Sequence, residues 1–214
     1  MELSNVEEYA VWNGAAGAHR LRFQAQDDEE VGTLQPLLRA ATAIQPDERV
    51  LDVGCGTGRP TAELLVAAGH DVTGVDVSPR MIEIARAQVP GARFEVADLR
   101  TLTCPAGQWD AVVALFPLLQ LTRAEIDAAL ARFADWPAPG GIFLMATVPA
   151  DVESFDLVFM GQPVTVSSYP PEVFHDRLVG LGLEVVRERV VEFRPDHPGA
   201  ELEHDLFLAA RASG

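Results

Sequence analysis

From Arg49 onward, short apolar runs alternate with segments whose apolar residues recur at helical spacing. Runs that are apolar throughout read as strands buried on both faces, and the longer period reads as amphipathic helices packed over them. The pattern predicts strands at Arg49–Val53, Asp71–Asp76, Arg93–Ala97, Asp110–Leu115 and Ile142–Thr147, then two closing strands at Glu184–Phe193 and Glu203–Arg211. Helices fall between them. Pro60 suits the first turn of one helix and Gly69 its exit, while Ser78 and Pro79 supply an N-cap and N1 for the next, which stops before Pro90. Thr122 and Glu125 have capping-box spacing and open a helix to about Asp135; Pro170-Pro171 opens another that ends near Gly180 or Gly182. Residues 150–168 read as irregular. Residues 1–46 are polar and helical, broken by Gly14 and Gly17, and are expected to form an N-terminal cap on a single domain spanning 47–214.

The turn after the first strand carries the candidate chemistry. Val50-Leu-Asp-Val-Gly-Cys-Gly-Thr-Gly58 places Gly54, Gly56 and Gly58 where a buried strand hands over to a helix. Without a Cβ the backbone turns sharply and lets a ligand lie against it, and amides at a helix start can meet a carboxylate. A dinucleotide fingerprint needs a glycine where this chain has Arg59. Asp52, two residues before the first glycine, can pair with the ammonium of an amino-acid ligand. Asp76 ends the second strand 22 residues after Gly54, where a carboxylate can accept both hydroxyls of a ribose, and Asp98 follows the third strand after another 22. Asp98 can take an adenine amino group while Leu99 packs on the ring. Each acid alone is more often a turn or cap residue; the three together, at successive strand ends beside the glycines, define a candidate site.

With Val72-Thr-Gly-Val-Asp-Val-Ser-Pro79, Phe94-Glu-Val-Ala-Asp-Leu99, Trp109-Asp-Ala-Val-Val113 and Pro139-Gly-Gly-Ile-Phe-Leu144, the chain resembles a class I (Rossmann-like) S-adenosylmethionine-dependent methyltransferase of the small-molecule type. The resemblance covers about residues 48–212. It implies an α/β three-layer sandwich around a seven-stranded, mostly parallel sheet of order 3-2-1-4-5-7-6 with the last strand antiparallel. It also implies S-adenosylmethionine as cofactor and S-adenosylhomocysteine (SAH) as product. By position, Gly54, Gly56 and Gly58 would line the methionine and ribose, with Asp52 beside them, and Asp76 would hold the ribose hydroxyls. Val77 and Met81 would contact adenine, Asp98 and Leu99 would fix its edge and face, and the backbone at Ala114 and Leu115 would face the methionine. Met81 suits a plain core position equally well.

The acceptor side is less legible. Relatives often carry His where this chain has Gln120, which can donate and accept a hydrogen bond but is no base near neutral pH. His19 and His175 are the histidines best placed to reach a pocket, whereas His70 and His197 are expected at the surface. Tyr9 and Trp12, three apart in the N-terminal cap, and Tyr169 after the fifth strand are candidate substrate contacts. The expected function is methyl transfer to O, N or C of a small metabolite, with secondary metabolism as a candidate setting; the alternative is an enzyme that keeps the cofactor but catalyses a reaction such as cyclisation. A net charge of −16 disfavours nucleic acid as a partner. The 16 basic residues are all Arg, which with abundant Ala, Gly and Pro points to a GC-rich bacterial genome. Two cysteines form no disulfide framework or metal motif. With no secretory leader pattern at the N-terminus and no apolar run long enough to span a bilayer, a cytoplasmic monomer or homodimer is expected.

Overall fold

The computed structural model describes residues 48–159, 162–193 and 203–214. The expected cap, with Tyr9, Trp12 and His19, lies outside the described residues. The chain divides into two compact units, the first ending at Leu102 and the second beginning at Thr103.

In the first unit, β1 (Arg49–Val53), β2 (Asp71–Asp76) and β3 (Arg93–Val96) run parallel, joined by α1 (Thr61–Ala67) and α2 (Pro79–Gln88). Val53 pairs with Val75, and Asp76 with Val96, so the C-terminal ends of the three strands share one edge. Val50, Leu51, Val53, Val72 and Val75 are all buried, as apolar strands covered on both faces must be. Ser78 caps α2 by accepting from the Met81 amide at 3.1 Å, with Pro79 in its first turn; Ile82 and Ala85 are its buried face. The Phe94 ring fills space that only glycine leaves. A Cβ on Gly74 would stand 2.6 Å from two of its ring carbons and 2.9 Å from the Cys55 sulfur, and one on Gly58 would stand 3.0 Å from the ring.

The second unit holds β4 (Trp109–Leu115), α3 (Arg123–Asp135), β5 (Pro137–Thr147), β6 (Val152–Phe159), β7 (Gln162–Ser168), α4 (Pro171–Gly180), β8 (Leu183–Phe193) and β9 (Glu203–Ala212). β4 and β5 are parallel; β9 runs antiparallel to both β5 and β8. The expected capping box opens α3, with the Thr122 hydroxyl and the Glu125 side chain satisfying each other's backbone amides. Ile126, Leu130 and Phe133 face inward, and Phe133 lies 5.2 Å from Trp136 and 5.8 Å from Phe143 between ring centroids.

The first unit orders its strands β3-β2-β1 and the second β4-β5-β9-β8, in the expected mostly parallel, Rossmann-like class. Residues 150–168, expected to be irregular, contain β6 and β7 as a separate two-stranded sheet. Ser154 explains the misreading. It sits at φ 51, a left-handed conformation that shifts the apolar alternation of β6 by one residue, and its amide is held by the Ser167 hydroxyl at 3.0 Å.

Packing around Phe94 predicts that Gly74→Ala costs about 1–3 kcal/mol by overpacking. A Cβ on Gly180 would meet no heavy atom within 4 Å, and this residue ends α4 without a left-handed φ. Gly180→Ala is therefore expected to stabilise by up to about 1 kcal/mol. Urea unfolding midpoints of the two variants should move in opposite directions.

Candidate cofactor site at the ends of β1, β2 and β3

The loop leaving β1 is bent back onto β2. The amides of Gly54 and Cys55 both donate to the Val75 carbonyl, at 2.8 and 3.0 Å, and the Gly58 amide closes a turn on the Cys55 carbonyl at 2.9 Å. Gly54, Gly56 and Gly58 have φ of 73°, 53° and 79°, so all three occupy the left-handed region that side chains disfavour. They are not equivalent. Gly58 packs against Phe94, whereas a Cβ on Gly56 would meet no atom of the described residues within 4 Å.

Asp76 ties this loop to the end of β2. One carboxylate oxygen accepts the Gly56 amide at 3.0 Å and the other accepts the Ser78 amide at 2.9 Å. Burial raises the Asp76 pKa, and the two amides oppose that rise. Asp52 is more deeply placed, at 2% exposure, and its Oδ2 has no hydrogen-bond partner among the described residues. Burial, then the neighbouring Asp76 charge, pushes its pKa up to about 7. Burial followed by the same two acids also pushes the Cys55 thiol well up, which makes it a packing residue rather than a nucleophile.

Asp98 follows β3, where the Ala97 amide donates to the Asp76 carbonyl at 3.0 Å. Its carboxylate is gripped by Arg100. The Arg100 Nε donates to both oxygens at 3.0 Å, Nη2 to Oδ2 at 2.6 Å, and the Arg100 amide to Oδ1 at 2.9 Å. Val77, Met81 and Leu99 are half-buried at the same strand ends. The first unit thus assembles the glycines, Asp52, Asp76, Val77, Met81, Asp98 and Leu99 along one sheet edge. Arg100 is a site residue that sequence reading missed, because a pair two residues apart in a loop leaves no periodic signal.

In the second unit, Ala114 is buried at the end of β4 and Leu115 is half-buried; Phe116 next to them adopts φ 59 and donates its amide to the Ala146 carbonyl at 2.8 Å. Gln120 is exposed. Tyr169, expected in a substrate wall, is only 6% exposed. The guanidinium groups of Arg123 and Arg177 lie over its ring at 4.6 and 4.0 Å from the centroid, and its hydroxyl donates to Asp127 at 3.1 Å. Arg177 also donates to Asp127, so the ring belongs to a network joining α3, α4 and the end of β7. His175 is a surface residue of α4, 40% exposed, with Nδ1 2.8 Å from a carboxylate oxygen of Glu188. His70, expected at the surface, is buried at 7% exposure beneath the α1 exit, where its amide donates to the Leu65 carbonyl. Among the described residues no cluster of side chains could hold a metal ion, and no helix is long and apolar enough to cross a membrane.

Residues 50–141 match the family model of a methyltransferase domain. The O-methyltransferase cnsE of Penicillium expansum is 31% identical over 140 residues, 63% of this chain and 50% of that protein. The chain spans about half the length of the first curated relatives it matches. Among solved structures, a DhpI–SAH complex superposes with a TM-score of 0.71 at 24% identity, over 95% of this chain and 94% of that one. The cyclase SpnF superposes with a TM-score of 0.68 at 22% identity, over 85% and 81%. Residues 50–141 are therefore similar to the class I, S-adenosylmethionine-dependent methyltransferase family, and the chain has the Rossmann-like fold of that family. S-adenosylmethionine is the cofactor of that family.

The raised Asp52 pKa has a definite sign for stability. An acid whose folded pKa lies above its unfolded value of 3.8 stabilises the fold fully below about pH 4, and the contribution is lost as pH rises through about 7. Asp52→Asn keeps the neutral form at every pH. Between about pH 5 and about pH 8, melting temperature should fall more steeply in the wild type than in Asp52→Asn; parallel slopes would show that Asp52 ionises normally.

Proposed function

We propose that this chain binds S-adenosylmethionine along the open ends of β1, β2 and β3 and transfers its methyl group to O, N or C of a small metabolite, releasing SAH. The observation that carries the reading is a buried acid, Asp52, and a half-buried one, Asp76, beside a glycine loop. Asp52 holds an orphan oxygen where burial demands a cation or a proton, and a Cβ on Gly56 would meet no atom of the described residues within 4 Å. A ligand ammonium would complete Asp52. Asp76 keeps a second lone pair on each oxygen after accepting the Gly56 and Ser78 amides, enough for two ribose hydroxyls. Val77, Met81 and Leu99 offer apolar surface to a base, and Asp98 an acceptor for its amino group.

When bound, the cofactor supplies an electrophilic methyl on a sulfonium, which the acceptor's lone pair displaces in line while the S–C electron pair stays on sulfur. The chain's part is then to hold the cofactor and exclude misalignment, which can be worth several orders of magnitude without any obligatory base. Gln120 can orient a polar group of the acceptor but removes no proton near neutral pH. With 32 acidic against 16 basic residues, a small molecule suits the surface better than a nucleic acid. A second reading, retention of the cofactor for a non-methylating reaction such as cyclisation, is favoured by Gln120 and by the fold's likeness to the cyclase SpnF.

Calorimetry with S-adenosylmethionine and with SAH tests the binding. Removal of both ribose contacts in Asp76→Ala is expected to weaken binding about 10- to 100-fold. No heat from either ligand in the wild type would end the proposal. Incubation with methyl-labelled cofactor and a metabolite extract separates the two readings: a labelled product supports transfer, and an unlabelled product formed only with cofactor supports the alternative.

A further inference from the structure

Asp52, Gly74 and Phe94 are register partners across β1, β2 and β3, so they form one row on one face of the sheet. The middle position has no side chain, and the Phe94 ring fills it. A Cβ on Gly74 would stand 2.6 Å from two ring carbons and 2.9 Å from the Cys55 sulfur, so ring and thiol together cover Gly74 beside Asp52. The same ring reaches the glycine loop. A Cβ on Gly58 would stand 3.0 Å from its tip, and 3.2 and 3.4 Å from side-chain carbons of Val89 and Ala85 at the end of α2. Phe94 is the one buried residue of β3. Its ring is not what holds the backbone of that strand, which pairs with β2 along its length while the Arg86 guanidinium donates to the Phe94 carbonyl at 2.6 Å.

The loop has three supports. The Val75 carbonyl takes the Gly54 and Cys55 amides, Asp76 takes the Gly56 amide, and Gly58 rests on the ring. We propose that Phe94 is a positioning residue for the amino-acid end of the cofactor: its ring sets where Gly58 sits, and with Cys55 it keeps water from Asp52 on the β2 side. The first two supports are hydrogen bonds that survive a change at Phe94, and the third is not. A smaller side chain leaves a cavity under Gly58 into which the loop can settle, and opens the covered side of Asp52. The nucleoside contacts stand apart from it. Asp76 is also held by the Ser78 amide, and Val77, Met81 and Leu99 follow the ends of β2 and β3. The inference rests on the cofactor reading above and adds a residue that acts on that ligand without touching it.

Calorimetry with SAH and with 5′-methylthioadenosine, which has the same nucleoside but no amino acid, tests it on one sample of each protein. In the wild type the amino-acid end gives SAH the tighter binding. In Phe94→Leu and Phe94→Ala, SAH should weaken about tenfold or more, the size of one displaced contact to a charged group, while 5′-methylthioadenosine stays within about threefold. The preference for SAH therefore falls. Because both ligands see the same folded fraction, partial unfolding leaves the preference unaffected, and Phe94→Leu carries the test if Phe94→Ala fails to fold. A preference that holds or rises in Phe94→Leu, whether both ligands weaken equally or neither does, would overturn the proposal and leave Phe94 as a core residue of β3 alone. Failure of the wild type to bind SAH at all would instead remove the cofactor reading, and this inference with it.

Discussion

The hydrogen bond from the Gly56 amide to the Asp76 carboxylate joins the loop after β1 to the end of β2, and the geometry of the candidate site depends on it. The donor is available because Gly56 takes a φ of 53°, and the acceptor is in reach because β1 and β2 pair in register up to Val53 and Val75. The Val75 carbonyl holds two preceding amides of the same loop. A side chain at Gly56 would strain the backbone and enter the space over the loop; a side chain at Gly74 would displace Phe94 and move β2 itself. Packing and ligand geometry are thus set by the same few glycines, through different atoms.

That arrangement costs stability. Two carboxylates lie close enough that Asp76 adds to the cost of ionising Asp52, and Asp52 Oδ2 has no partner among the described residues. Natural cores rarely keep such a group unless something outside the fold completes it. In the proposed function a cationic amino-acid moiety is that complement, in keeping with the similarity of residues 50–141 to a methyltransferase domain. The pair Asp98–Arg100 follows the opposite logic. Its charges compensate each other near the surface, so it contributes little to stability.

β1 and β2 were legible because each is buried on both faces and so reads as a nearly unbroken apolar run. Val50-Leu-Asp-Val53 and Val72-Thr-Gly-Val75 carry that signal almost without interruption. The three acids were legible because strand ends put them at regular intervals. What escaped reading depended on contacts distant in sequence or on local backbone geometry. Ser154 hid β6 by breaking its alternation at a left-handed residue that is not glycine. Tyr169 resembled a pocket wall, yet it is buried with two arginines, contributed by α3 and α4, over its ring. His70 looked exposed at a helix exit, but the turn folds its side chain inward. None of these outcomes leaves a mark in composition or spacing.

In the proposed function Asp52 waits, largely protonated, for a cation brought by the cofactor. The dependence of the S-adenosylmethionine binding heat on the ionisation enthalpy of the buffer, at about pH 6.5, measures this directly. A folded-state pKa of about 7 predicts that binding releases a substantial fraction of a proton in the wild type and distinctly less in Asp52→Asn. Binding with the same proton release in both proteins would contradict that role for Asp52.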